Sequence, residues 1–311
     1  MVITFFVSNV YQLAVSRAVI SLFHPRNATV VYCSEFINKN NPFLRYIGGL
    51  GEVNLLSVSE ADYKRRTGIL SGWRLPVFNP EVQNTVLESD LVLFGDPYLL
   101  SQRSYVGISK SKALIEDSPT LFSYFRYRSN MPVVKRWLAE QFGLHPLFDA
   151  ETSCYGFSTF NNCYGKHYIN MSRVLGADDI DKIKREIRVA FRTEFDSLEK
   201  IKNLNQEDTV LLLTQPLASD GIVTSVNQQI EFYMTNMNQL RSAGFRVLCK
   251  LHPRDIANGV SYPIRPTEVF NFSAPMELFE DEIRNCFVGI AAYSSYSFVE
   301  STKFIRIKLS L

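Results

Sequence analysis

Short apolar runs alternate with helix-like stretches along most of the chain, and each run is about as long as one β-strand. Val2–Val7 is an apolar run, and Val10–Phe23 repeats its apolar residues at helical spacing. Residues 29–33 form the next β-branched run. Strands that alternate with helices pair in parallel through right-handed crossovers, so the pattern predicts an α/β fold with doubly wound sheets. Further strands are predicted at 53–58, 91–95, 112–116, 208–213, 245–251, 286–292 and 304–309.

The length of 311 residues favours two domains, because a single hydrophobic core stops growing at roughly 250–300 residues. The rhythm of strands and helices is interrupted over residues 145–175, which are rich in Asn, Ser and Tyr. A charged amphipathic helix is predicted to follow over residues 178–195. We therefore expect an N-terminal domain over residues 1–165 and a C-terminal domain over residues 166–311.

Charge and cysteine content restrict the compartment and the partners. A net charge of +2 argues against nucleic acid as a partner, since nucleic-acid-binding domains carry a clustered basic excess. Five cysteines without metal-type spacing indicate a reducing compartment, so we expect a cytoplasmic protein. No apolar window is long enough to span a membrane. The basic face of helix 178–195 fits either a solvated surface or a peripheral contact with the inner membrane, and a homodimer also stays open.

Polar residues follow directly on three predicted strands of the second half. They are Thr214-Gln215-Pro216, His252-Pro253-Arg254 and Tyr293-Ser294-Ser295. In a doubly wound sheet, the carboxyl ends of the parallel strands form the edge at which ligands bind. The three clusters therefore predict one ligand site at that edge of the second domain.

The side chains of these clusters have the chemistry of a phosphate site. His252 is able to donate a hydrogen bond to a phosphate, or to protonate it as a leaving group departs. Lys250 projects to the same face of its strand as His252, and Arg254 offers a fork that suits phosphate oxygens. Ser294 and Ser295 stand at a predicted strand-to-helix junction, where N–H groups bind anions. A structural histidine and an ordinary helix cap are the alternative interpretations.

A predicted apolar strand of the first half ends in Glu116, and Asp117 follows it. Glycosyl transfer with inversion needs a carboxylate that takes the proton of the acceptor hydroxyl, and a partner that stabilises the leaving phosphate. A carboxylate on one domain and His252 on the other meet this requirement once a cleft between the domains closes. Asp96 and Asp220 are rival bases, and a helix cap is the structural alternative for Asp117.

These residues resemble the motifs of the bacterial sialyltransferases, which share an acidic motif, a His-Pro motif and a Ser-Ser/Thr motif in that order. The counterparts here are Glu116-Asp117-Ser118, His252-Pro253 and Ser294-Ser295, with Ser118 where the family motif has glycine. In length, the chain is most similar to the lipooligosaccharide sialyltransferases of glycosyltransferase family 52, and next to the capsular polysialyltransferases. The resemblance implies two facing Rossmann-like domains, the GT-B architecture.

The resemblance also implies a reaction. Such enzymes use CMP-sialic acid as donor and invert the anomeric centre without an obligatory metal, and here they would extend a galactoside or sialoside terminus of a bacterial lipooligosaccharide or capsule. Glu116, with Asp117 beside it, would supply the general base, and His252 the acid or phosphate stabiliser. Pro253 would line the cytosine pocket, and Glu277 would hold the ribose. The residues expected to bind the donor are Lys250, Pro253, Arg254, Glu277, Ser294, Ser295 and Gln215.

Two other functions stay open from the sequence. The same two-domain fold serves other nucleotide-sugar glycosyltransferases and UDP-sugar epimerases, and a protein that kept the fold without catalysis would only bind glycans. The chain has no Gly-x-x-x-x-Gly-Lys-Ser/Thr loop, which argues against an ATPase.

Overall fold

The computed structural model describes residues 1–66, 76–116, 132–142, 148, 152–157, 167–202, 208–293 and 305–310. The chain divides into two compact units, Met1–Ala190 and Phe191–Leu311. Each unit contains one sheet whose strands pair in parallel, and helices lie between most of the successive strands of the described residues. The predicted α/β class with parallel, Rossmann-like sheets is therefore confirmed for each unit taken by itself.

The first unit is built on a seven-stranded sheet. Its strands are β1 (Val2–Val7), β2 (Asn27–Cys33), β3 (Val53–Val58), β4 (Leu91–Phe94), β5 (Lys112–Ile115), β6 (Cys154–Gly156) and β7 (Tyr168–Asn170). They lie in the order β3-β2-β1-β4-β5-β6-β7. Five of the six residues of β1 are buried, because helices cover both faces of a parallel sheet of this kind. The strand order reverses beside β1, which makes the carboxyl ends of β1 and β4 the switch point where ligands bind in such sheets.

The helices of the first unit begin and end at clear local signals. They are α1 (Val10–Phe23), α2 (Pro42–Gly48), α3 (Glu60–Arg66), α4 (Pro80–Glu88), α5 (Leu100–Val106), α6 (Val133–Phe142), α7 (Met171–Val174) and α8 (Ala177–Ala190). The side chain of Asn9 caps α1 by accepting the Gln12 N–H at 2.8 Å. His24 ends that helix in the left-handed conformation, at a φ of 43°. The bounds of β1, α1 and β3 agree with the sequence patterns.

A buried ion pair ties α8 to α1. Nε and Nη2 of Arg17 each donate to a different carboxylate oxygen of Glu186 at 2.8 Å, and both side chains are 7% exposed. The first unit consequently extends to Ala190, past the boundary predicted between 165 and 166. The segment 145–175 also differs from its predicted irregular structure, because it contains β6 and β7.

The second unit has a smaller sheet of four strands. They are β8 (Thr209–Leu213), β9 (Arg246–Lys250), β10 (Gly289–Ala292) and β11 (Ile305–Lys308), in the order β11-β10-β8-β9. All residues of β8 and β10 are buried, which explains their continuous apolar sequences. The helices are α9 (Arg192–Lys202), α10 (Val226–Ser242), α11 (Pro253–Ala257) and α12 (Glu280–Arg284), with 3-10 turns at Pro266–Glu268 and Met276–Leu278.

One predicted helix is wrong. The pattern predicts a single helix over residues 178–195, whereas the structure has α8 and α9, separated by one residue. That residue, Phe191, is 2% exposed. Its side chain fits the apolar periodicity of either helix, so periodicity alone does not reveal the break. Among the described residues, no helix has the length and apolar character needed to cross a membrane.

Candidate functional site

Three strands of the second unit end side by side at the carboxyl edge of its sheet. Strand β8 lies between β10 and β9, with Leu213 opposite both Ala292 and Lys250. Thr214 continues the chain from β8, and its N–H donates to the Lys250 carbonyl at 3.1 Å. His252 follows β9 at the same edge. The predicted convergence of these strand ends is therefore present in the structure.

Two hydrogen bonds fix His252 at this edge. Its backbone N–H donates to Oγ1 of Thr214 at 2.8 Å. Its Nδ1 accepts the Arg254 N–H at 3.1 Å, so that the ring caps the N-terminus of α11. Because Nδ1 accepts a hydrogen bond, the neutral ring carries its proton on Nε2. The site thus presents an Nε2–H donor.

The surroundings of His252 keep its ring neutral. Burial and the positive charges of Arg254 and Lys250 lower its pKa from 6.5 to about 4, and the charges of Asp255 and Asp220 oppose this shift only in part. At neutral pH the ring therefore acts as an uncharged hydrogen-bond donor. Such a group stabilises a phosphate without first having to lose or gain a proton.

Arg254 pairs with an acidic side chain of the same unit. Its Nη1 and Nη2 donate to the two carboxylate oxygens of Asp220 at 2.8 and 3.3 Å. The two side chains are 42% and 36% exposed, so the pair lies at the surface. The guanidinium group of Arg254, which the sequence analysis assigns to phosphate binding, thus binds the carboxylate of Asp220. The same contact engages Asp220, which the sequence analysis named as a rival for the general base.

A glutamate that no sequence motif identified lies near Lys250. Glu194, in α9, accepts the backbone N–H groups of Ser273 and Ala274. Burial raises the pKa of Glu194, and the two backbone N–H groups and the charge of Lys250 act in the opposite direction. Glu194 therefore fixes the chain segment that leads to the Met276–Leu278 turn, and its carboxyl lies within the field of Lys250.

A buried polar network around Asp255 connects this sheet edge to α10. The carboxylate of Asp255, which is 1% exposed, accepts hydrogen bonds from Gln229 Nε2 at 3.0 Å, Tyr262 Oη at 2.8 Å and Thr214 Oγ1 at 3.3 Å. Gln229 lies on α10, so the network joins a helix, α11 and the end of β8. Each member is hydrogen-bonded, as buried polar groups need to be.

The strand end around Gln215 is fixed by the same helix. Its backbone N–H donates to Oη of Tyr233 at 2.7 Å. Oε1 of Gln229 accepts the N–H of Ala218 at 2.8 Å. Two side chains of α10 therefore determine the path of the loop after β8.

In the first unit, Glu116 lies at the carboxyl end of β5 and is 2% exposed. Its Oε2 accepts hydrogen bonds from Tyr11 Oη, from Tyr168 Oη at 2.9 Å and from the Phe157 N–H at 3.0 Å. A Cβ at Gly156 would lie 2.0 Å from that oxygen, so only glycine fits there. The carboxylate is thus held in one orientation by three donors and a close backbone approach.

Asp96 follows β4, beside the switch point of the same sheet. Its Oδ1 accepts the Tyr98 N–H at 3.2 Å, and its own N–H donates to Oε1 of Gln102 at 2.9 Å. Burial raises the pKa of Asp96, which favours proton uptake. Asp96 therefore stays a rival to Glu116.

Five predicted site residues cannot be placed. Asp117, Ser294 and Ser295 lie outside the described residues, as does the helix predicted after Tyr293, and the side chains of Pro253 and Glu277 are not described either. Among the described residues, no group of three or more His, Cys, Asp or Glu side chains has the arrangement of a metal site.

The family model of the alpha-2,8-polysialyltransferases matches the chain over residues 158–261. The matched segment is about a third of the chain and includes β8, β9 and the His252 edge. It supports a sialyltransferase of the bacterial kind, and it points to the second of the two groups that the motifs resemble. A search of curated proteins finds no match.

Proposed function

We propose that the chain is an inverting sialyltransferase of GT-B architecture that transfers sialic acid from CMP-sialic acid. The acceptor is a galactoside or sialoside terminus of a bacterial surface glycan, in lipooligosaccharide or capsule. One observation carries the proposal: a neutral His252, with its Nε2–H as donor and Lys250 nearby, stands at a ligand-binding sheet edge inside the segment that matches polysialyltransferases.

The donor chemistry suits this edge. In the proposed reaction, the acceptor oxygen forms a bond to the anomeric carbon while the bond from that carbon to the phosphate oxygen of CMP breaks. The acceptor proton goes to a carboxylate, and CMP leaves with the electron pair on its single phosphate. One positive charge from Lys250 and one hydrogen bond from His252 match a single phosphate, so the proposal needs no metal.

Nucleotide binding tests the donor. We expect CMP to bind more tightly than UDP or GDP in calorimetry and to raise the melting temperature, and we expect CMP release from CMP-sialic acid when a galactoside or sialoside is present. EDTA should leave this rate unchanged. Tighter binding of UDP would instead support another nucleotide-sugar glycosyltransferase or an epimerase. Absence of stabilisation by any nucleotide would support a glycan-binding protein without catalysis.

Glu116 is our proposed general base, because its orientation is fixed at the end of β5. Glu116→Gln keeps an oxygen for the three donors but does not accept a proton, so we expect the transfer rate to fall about 100-fold with little change in melting temperature. Asp96→Asn is the matched control, since its amide oxygen still accepts the Tyr98 N–H, and we expect a rate within about threefold of the wild type. The reverse outcome in a transfer assay would assign the base to Asp96.

A further inference from the structure

We propose that Asp255 and Thr214 are positioning residues of the phosphate site, which hold the backbone of His252 so that its Nε2–H is presented to the donor phosphate. The inference rests on the proposed function for its ligand. Asp255 belongs to no motif that the sequence brought forward, and Thr214 stands there only as the first residue of a polar strand end.

The carboxylate of Asp255 is itself held in place by hydrogen bonds. Its carboxylate is 1% exposed, and Gln229 and Tyr262 donate to its two oxygens at 3.0 and 2.8 Å. The Tyr262 hydroxyl also accepts from Gln229, and Gln229 is bonded through its oxygen to the Ala218 N–H. A carboxylate held in this way has one orientation, because any rotation would leave buried donors without an acceptor.

The carboxylate sets the direction of the next hydrogen bond. Thr214 has one hydroxyl proton, and it donates this proton to Oδ2 of Asp255 at 3.3 Å. The lone pairs of Oγ1 are then left for the His252 N–H, which donates at 2.8 Å. The two hydrogen bonds of Thr214 thus couple the orientation of the buried Asp255 carboxylate to the backbone position of His252.

The backbone conformation of His252 in turn determines the orientation of its imidazole ring. Nδ1 of His252 accepts the Arg254 N–H at 3.1 Å, and the His252 carbonyl accepts the Asp255 N–H at 2.9 Å. Both bonds require His252 to keep the extended backbone of an N-cap, at φ −69° and ψ 137°. With Nδ1 engaged, Nε2 carries the proton. The chain of contacts therefore runs from Asp255 through Thr214 to the donor atom.

Three single substitutions separate positioning from stability. Thr214→Val removes the hydroxyl at nearly constant volume, and Thr214→Ser keeps it. Thr209→Val makes the same change in a buried threonine at the opposite end of β8. We expect all three variants to fold, and the melting temperature of Thr209→Val shows what the loss of a buried hydroxyl from this strand does to stability alone. Only Thr214→Val should weaken CMP binding and slow transfer, each by about tenfold, which corresponds to about 1.4 kcal/mol. Thr214→Ser should stay within about threefold of the wild type.

The tautomer of His252 gives a readout that needs no ligand. In 15N-histidine spectra, with the His252 signal assigned from a His252→Asn sample, the wild type, Thr214→Ser and Thr209→Val should show the Nε2–H form. Thr214→Val should show a mixture of both forms. An unchanged tautomer in Thr214→Val, or an equal change in Thr209→Val, would overturn the proposal. If the wild type binds no CMP, the proposed function fails, while the tautomer comparison still decides whether Thr214 positions His252.

Discussion

A His252→Asn variant is expected to lose transfer activity by about a thousandfold while it keeps the melting temperature of the wild type. Asparagine is a preferred N-cap residue, and its side-chain oxygen takes over the hydrogen bond that Nδ1 of His252 accepts from the Arg254 N–H. The variant lacks a group at the position of Nε2. It therefore removes the proposed phosphate donor and leaves the start of α11 intact.

His252→Ala is the comparison variant, because it removes both functions of the ring. We expect it to lose the same activity and, in addition, about 1 kcal/mol of stability from the missing cap. Initial rates of CMP release and melting curves of both variants provide the measurements. If His252→Asn transferred sialic acid at the wild-type rate, His252 would be a structural cap only, and the phosphate site would have to lie elsewhere.

The pH dependence follows from the lowered pKa of His252. The folded value of about 4 lies below the ordinary value of 6.5, so folding favours the neutral ring. The stability that this residue contributes is present above pH 6.5 and is lost as the pH falls through about 4. A neutral donor also predicts that transfer does not decline between pH 8 and about pH 5.5 on account of His252, whereas a general acid of ordinary pKa would give a decline above neutrality.

The strand ends were predictable because they depend on local sequence. A continuous apolar run followed by polar residues marks both a buried strand and its carboxyl edge, and β8 and β9 carry this signal with Thr214 and His252. Parallel pairing then brings the two residues together without further information. The same local logic gave the exact bounds of β1 and α1.

The partners of these residues were not predictable in the same way. Asp255 is an acidic residue in a five-residue helix, where a solvated position is the usual expectation. Asp255 is buried because two distant side chains donate hydrogen bonds to its carboxylate. Gln229 lies 26 residues before it in the chain, and Tyr262 lies 7 residues after it. The pairing of Arg254 with Asp220 across 34 residues has no local signal either. Contacts of this kind depend on the tertiary fold, which one sequence does not encode in its periodicity.

Gly156→Ala is expected to lower the free energy of unfolding by about 3 kcal/mol, although it adds only one methyl group. The new Cβ would lie 2.0 Å from Oε2 of Glu116 and 2.7 Å from Oη of Tyr168, and both groups are held by further hydrogen bonds. The backbone of Gly156 belongs to β6, between β5 and β7, so the strand is not free to move away. The carboxylate therefore has to leave its donors.

The displacement of Glu116 gives the variant a second effect. If Glu116 is the base, the transfer rate of Gly156→Ala should fall by at least about 100-fold, as we expect for Glu116→Gln. Unlike Glu116→Gln, the Gly156→Ala variant should also be less stable than the wild type. Gly107→Ala is the matched control, since a Cβ there meets no atom within 4 Å and the residue has an ordinary helical conformation, at φ −72°. Urea denaturation and initial rates measure both effects. A Gly156→Ala protein as stable and as active as Gly107→Ala would contradict the packing around Glu116, because a methyl group cannot share that space with a fixed carboxylate.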